Sequence, residues 1–108
     1  MELSISTDVT PGGHHVLQLS GALDLVSRDL LLEAGTAALA SAGTKVLVLD
    51  TAHVDFLDSS GIGAIVALAG AAEDAGRGFA LQAPSDRVTR VLTVTGLVQA
   101  WTILDAPT

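Results

Sequence analysis

A small α/β sheet domain is what this sequence predicts, and three features predict it. An alternating segment, Leu3 to Thr7, and an apolar segment, Val16 to Leu19, flank a Pro11-Gly12-Gly13 turn. A near-continuous apolar run from Lys45 to Leu49 has the pattern of a strand buried on both faces. After it, helical and strand-like segments alternate to the end of the chain. That order suits helices packed on a sheet in two or three layers.

The elements follow in turn. Leu3–Thr7 alternates as an edge strand does, and with Val16–Leu19 it forms a hairpin closed by the Pro-Gly-Gly turn. Ser20-Gly21-Ala22-Leu23-Asp24 leaves the second strand. A first helix is predicted over 27–40, capped by Ser27 and with Asp29 in its first turn. Leu30, Ala34, Ala37 and Ala38 share one face of it, and Gly43 closes it. The third strand ends at Asp50, and a short polar loop carrying His53 follows. A second helix starts at Ser59 or Ser60 and stops before Gly76, with Ile62, Ile65, Ala69 and Ala72 as its core stripe. Phe79–Gln82 is a fourth strand. Pro84 and Ser85 open a third helix, whose stripe is Val88, Val91 and Leu92 and whose stop is Gly96. Thr102–Leu104 is a short last strand, and Trp101 beside it is a core or rim plug.

Bulk properties narrow the function. A chain of 108 residues suits one domain, with no internal repeat or linker. Hydrophobic residues are 49% and charged residues 16%, enough apolar surface for a core. There is no cysteine, which excludes disulfides, thiol catalysis and cysteine-ligated zinc, and is compatible with a cytoplasmic protein. Five basic against twelve acidic residues give a net charge of −7, which disfavours nucleic acid as a partner. The longest stretch without a polar side chain, Gly61 to Ala72, is 12 residues, short of the roughly 20 needed to span a bilayer. Met1-Glu2-Leu3-Ser4 lacks the basic start of a secretory leader. No membrane association is expected.

No cofactor or metal is expected either. Adjacent His14 and His15 point to opposite faces of a strand and cannot easily share an ion. Gly61-x-Gly63 and Gly76-x-Gly78 are not phosphate-binding loops, and no Ser-His-Asp triad is readable.

The chemistry concentrates at Asp58-Ser59-Ser60-Gly61. Two hydroxyls beside an acid sit where an apolar helix begins. A helix N-terminus exposes serine and tolerates an anion, so this is a place for a phosphorylation switch. By composition alone both serines, and Asp58 too, are ordinary caps. The helix that follows has no polar face: Gly63, Ala64, Val66, Ala67, Gly70 and Ala71 all point away from its core stripe without a charge. Such a helix is buried all round or meets a partner. Ile62, Gly63 and Val66 are therefore expected to border a docking surface.

These segments resemble a known family. Gly21-Ala22-Leu23-Asp24 resembles its Gly-x-Leu-Asp element, Val46 to Gly63 its central strand, Asp-Ser-Ser-Gly motif and apolar helix, and Pro84 to Leu97 its third helix and exit turn. The chain resembles a STAS domain of the stand-alone anti-sigma factor antagonist type across nearly its whole length. The fold implied is a mixed β-sheet of four to five strands with helices packed on it, one domain over residues 1–108. The function implied is transcription regulation in a bacterial cytoplasm, with no catalysis by the chain itself. Such antagonists bind an anti-sigma factor that is also a serine kinase, and so release a sigma factor. The kinase phosphorylates the serine after the signature acid, and a serine/threonine phosphatase reverses it. Carried over, the phosphoacceptor is Ser59, with Ser60 the alternative. Asp24, Asp58 and Gly61 form its surroundings. Ala22 stands where an acid is often found.

Three rivals compete. A phosphoaspartate receiver would use Asp50, but the acid cluster and lysine it also needs are missing from their places. A small hydrolase would need a base beside Ser59, and none is visible. A STAS scaffold or partner subunit in a stress-sensing or lipid-trafficking complex would ignore the state of Ser59, and a transporter module would need a membrane segment.

Overall fold

The computed structural model of the chain describes residues 2–105. They form β1 (Leu3–Val9), β2 (His14–Leu23), α1 (Arg28–Ala40), β3 (Val46–Leu57), α2 (Ser59–Asp74), β4 (Gly78–Gln82), α3 (Asp86–Thr95), a 3-10 turn (Leu97–Gln99) and β5 (Thr102–Leu104). The five strands make one sheet in the order β1-β2-β3-β4-β5. β1 is antiparallel to β2, and every later neighbour is parallel, so the sheet is mixed. The hairpin turns where Pro11-Gly12-Gly13 predicted, with Gly13 at a φ of 87° that favours glycine.

Leu17, Leu19, Leu47, Leu49 and Leu81 share one buried cluster with Leu31 and Leu39 of α1, Ile65 and Leu68 of α2, and Val88 and Leu92 of α3. All three helices therefore cover the same sheet face, and the domain has two layers. On the other face Val16, Val48 and Ala80 form a smaller apolar cluster flanked by Val46 and Leu104. Central β3 is buried on both sides at Leu47, Val48 and Leu49, as its sequence predicts.

β2 and β3 run furthest beyond what the sequence suggests. β2 continues through Ala22 to Leu23, and β3 continues past Asp50 to Leu57. The polar loop expected after Asp50 is strand, and exposed His53 lies within it, opposite Ser20. The reason is a break in period. The β2–β3 register shifts between Gln18 and Ser20 and again between Gly21 and Ala22, each time with an extra residue on β3. Bulges of this kind leave one residue unpaired and reset the alternation of faces. Beyond Leu49 the buried positions of β3 are Thr51, Val54 and Leu57, a spacing of three that no strand template matches. The first bulge also leaves Asp50 inside the strand rather than at its end.

Helix faces needed correction too. α1 buries Leu31, Gly35, Ala38 and Leu39, whereas Leu30 is 47% exposed and Ala37 is exposed. The run Leu30-Leu31-Leu32 leaves the face ambiguous in sequence. Gly35 resolves it in the fold, because a Cβ there would lie 2.5 Å from Leu68 Cδ2 of α2. A side chain there would have to displace Leu68. Gly43 does not close α1: the C-cap is Ser41, and Thr44 Oγ1 donates to the Ala38 carbonyl at 2.8 Å. On α2 the buried residues are Gly61, Ala64, Ile65, Leu68 and Ala72, so Ala64 and Leu68 replace Ile62 and Ala69, which are half-buried. α3 matches its prediction closely: Ser85 caps it, Val88 and Leu92 are buried with Val91 half-buried beside them, and Gly96 ends it at a φ of 78°. Half-buried Trp101 sits edge-on to Phe79, with ring centroids 5.8 Å apart.

The corrected α1 face is testable. Leu31→Ala should lower unfolding free energy by about 2–5 kcal/mol, the range for a fully buried leucine. Leu30→Ala should change it by about 0.5 kcal/mol or less. Urea denaturation of both variants reads the difference, and equal losses would mean the face is wrong.

Candidate functional site

The site is assembled where two parallel strands end together. β2 and β3 pair in register to Leu23 and Leu57. The next residues, Asp24 and Asp58, thus leave the same edge of the sheet on neighbouring strands. The Asp58 N–H donates to the Leu23 carbonyl at 3.3 Å and extends the ladder by one bond.

Asp58 then turns the chain into α2. Its backbone is extended, and its Oδ1 accepts from the Gly61 N–H at 3.0 Å, the bond of an N-cap. Ser59 is the first helical residue and is exposed, while Ser60 is half-buried. The cap is the acid, so neither hydroxyl is needed to start the helix. Gly61 is buried for a steric reason. A Cβ on it would collide with the Leu23 carbonyl oxygen and lie 2.8 Å from Leu23 Cγ and Leu57 Cδ1. Glycine here lets α2 begin directly on the ends of β2 and β3.

Asp24 organises the other side. Its Oδ1 accepts from the Val26 and Ser27 N–H groups, each at 3.0 Å. The Ser27 N–H above all holds the carboxyl below its usual range; burial opposes it, and the Val26 N–H adds to the lowering. Ser27 is not the cap its position suggests. Its hydroxyl is turned inward and donates to the Ala22 carbonyl at 2.7 Å, while the Asp24 N–H donates to it at 3.0 Å. Asp24 thus makes the turn that serine was expected to make, and keeps its charge at the site's edge.

The α2 surface differs along its length. Gly63, Val66, Ala67, Gly70 and Ala71 are exposed, with Val66 at 46%, and form an outward stripe without charge. Ile62 instead packs partly against the core. Between α1 and α2 lies a groove of 470 Å³ lined by Arg28, Leu32, Ser59, Ser60, Gly63, Ala64 and Ala67. Sequence reasoning missed three residues here. Leu25 and Val26 in the β2–α1 turn are 63% and 86% exposed, and Arg28 reaches the groove from the first position of α1. The available signal was two large apolar residues in a turn, where polar ones are usual.

Other candidates lie elsewhere. Asp50 is held by the Ala52 N–H at 3.0 Å and the Gln82 amide at 3.2 Å, well before the end of β3. His14 is exposed, and the half-buried His15 is 3.2 Å from Thr44 Oγ1. Among the described residues no three His, Asp or Glu side chains gather as a metal site would need, and no helix is long and apolar enough to cross a membrane.

The chain is similar to known proteins over nearly all its length. A family model described as Mlab, STAS domain, matches residues 6–105. An anti-sigma factor antagonist from Mycobacterium paratuberculosis is 27% identical, with a TM-score of 0.77 over 99% of this chain and 87% of that one. The anti-sigma factor antagonist SpoIIAA in its unphosphorylated form is 22% identical, with a TM-score of 0.79 over 96% and 89%. The Bacillus cell fate determinant SpoIIAA in the phosphorylated form is 21% identical, with a TM-score of 0.74 over 96% and 91%.

Gly61→Ala tests the steric reading. The added methyl meets backbone as well as side chains, so overpacking should lower unfolding free energy by about 1–3 kcal/mol. The neighbouring Gly63→Ala, with open space at its Cβ, should be neutral or slightly stabilising. Thermal melts of the pair suffice, and an unaffected Gly61→Ala would contradict the close approach.

Proposed function

Because the chain belongs to the STAS domain family, we propose that it is an anti-sigma factor antagonist switched by phosphorylation of Ser59. The observation that carries this reading is the placement of Ser59: exposed, first in α2, not needed as a cap, and bordered by an uncharged stripe. In its unphosphorylated form the protein docks an anti-sigma factor that is also a serine kinase, through Gly63, Val66 and the neighbouring turn with its exposed Leu25 and Val26. Ile62 supports that surface from below. The sigma factor is then released and transcription changes, in a bacterial cytoplasm and in the setting of a stress response. The chain acts by binding, not by catalysis.

Phosphorylation reverses docking by charge and bulk. It adds about −1.5 to −2 charges and three acceptor oxygens. The fold tolerates them at a helix N-terminus. A partner packed against the site does not, because Asp24 and Asp58 already make it acidic and burying the phosphate removes its water. Ser60 is half-buried and is the second choice of acceptor. A serine/threonine phosphatase restores the binding form. Solved relatives in unphosphorylated and phosphorylated forms support the same fold carrying both states.

A second reading is favoured by the family description, which is of a Mlab-type STAS domain. In it the chain is a scaffold or partner subunit, in a stress-sensing or lipid-trafficking complex, that ignores Ser59.

Capture from the native host's lysate separates the two. Wild type and Ser59→Ala should retain a kinase-type anti-sigma factor, and Ser59→Asp should lose it, as read by mass spectrometry. Identical partners on all three baits would favour the scaffold. Val66→Glu should abolish capture while melting stays nearly unchanged, since Val66 is exposed. Equal loss of folding would remove Val66 from the docking surface.

A further inference from the structure

We propose that Arg28 receives the phosphate on Ser59, so that the switched-off state is held by an ion pair across the α1–α2 groove. This inference rests on Ser59 being the phosphoacceptor. The γ-phosphoryl group of the partner kinase's nucleoside triphosphate bonds to Ser59 Oγ as its bond to the diphosphate breaks, and the hydroxyl proton passes to solvent.

Three observations support the pairing. Arg28 and Ser59 line one groove, and Arg28 is the cation among its lining residues. The chain has five basic residues against twelve acidic ones, so a cation at this place stands out against an acidic background. Arg28 is also free to move. Among the described residues its ion pair is with the adjacent Asp29 at 3.7 Å, and the two side chains are 47% and 83% exposed, a geometry that holds little.

The phosphate needs such a partner. At the N-terminus of α2 the Asp58 carboxylate already takes the Gly61 N–H. A dianion arriving at Ser59 meets that acid first, and the helix dipole is partly answered before it arrives. Guanidinium donates in a planar fork that matches phosphate oxygens and stays charged at all working pH values. In the unphosphorylated form Arg28 faces an open groove of small side chains. In the phosphorylated form it turns to Ser59, and the groove beside α2 closes to a partner.

The test installs phosphoserine at position 59 by genetic encoding, with no kinase present, and follows the phosphate by 31P NMR over pH. Its second ionisation, ordinarily near pH 6, should lie roughly 0.5–1 lower in pKa with Arg28 than with Arg28→Gln. Arg28→Lys should fall between, because the charge is kept and the fork is lost. Three coincident titrations would overturn the pairing. Melting of the unphosphorylated variants controls for folding, and Arg28→Lys carries the test if Arg28→Gln is unstable. Capture with phosphorylated and unphosphorylated baits runs in parallel. A shifted titration without loss of partner keeps the Arg28 contact and rejects the antagonist reading. Partner loss with coincident titrations does the reverse.

Discussion

The start of α2 is set by how closely its first turn approaches the end of β2. The Asp58 N–H bonds to the Leu23 carbonyl, and Gly61 passes the same carbonyl with no room for a Cβ. This contact leaves no loop between β3 and α2. Ser59 is therefore carried by a helix that begins directly on the sheet. A hydroxyl on a rigid element presents the same surface in each molecule, whereas one on a free loop would not. The parallel register Leu23↔Leu57 brings Asp24 alongside, and the Asp24 turn launches α1. Strand pairing, helix start and acidic rim thus share one origin.

The site divides structural work from exposed chemistry. Asp58 caps α2, and Asp24 ties the β2–α1 turn, each through backbone N–H groups. Their hydrogen bonds hold both carboxyl groups where β2 and β3 end, at the start of the helix that carries Ser59. Ser27 turns inward to the Ala22 carbonyl, which frees the outer surface of that turn. What remains exposed is Ser59, the apolar Leu25 and Val26, and the small-residue stripe of α2. An exposed hydroxyl thus lies beside exposed apolar area, the combination the proposed reversible interface needs. On the proposed reading, apolar contact drives docking and a dianion at its edge opposes it.

Much of the fold was legible in the sequence because local chemistry and tertiary structure agree. The Pro-Gly-Gly turn, the apolar run of β3, the cap and stop of α3, and the Asp58 start of α2 all state their conformation within a few residues. Ser59 and Ser60 were legible as a candidate switch for the same reason: an acid and two hydroxyls opening an apolar helix are a local pattern. The Gly-x-Leu-Asp and Asp-Ser-Ser-Gly segments were legible one by one.

Tertiary structure decided whatever depends on a neighbour. The bulges of β3 exist only against β2, so the stretch from Thr51 to Leu57 read as a loop. The buried face of α1 depends on Gly35 meeting Leu68, and three consecutive leucines could not reveal it. Ser27 looked like a cap, yet the Ala22 carbonyl claims its hydroxyl and Asp24 takes over the turn. Arg28 came to line the same groove as Ser59 only when α1 and α2 packed together. The sequence by itself determined the element types and the serine at a helix start, because capping and periodicity act within one or two turns. The partners of those residues were decided by register and helix contact, which join positions far apart in the chain.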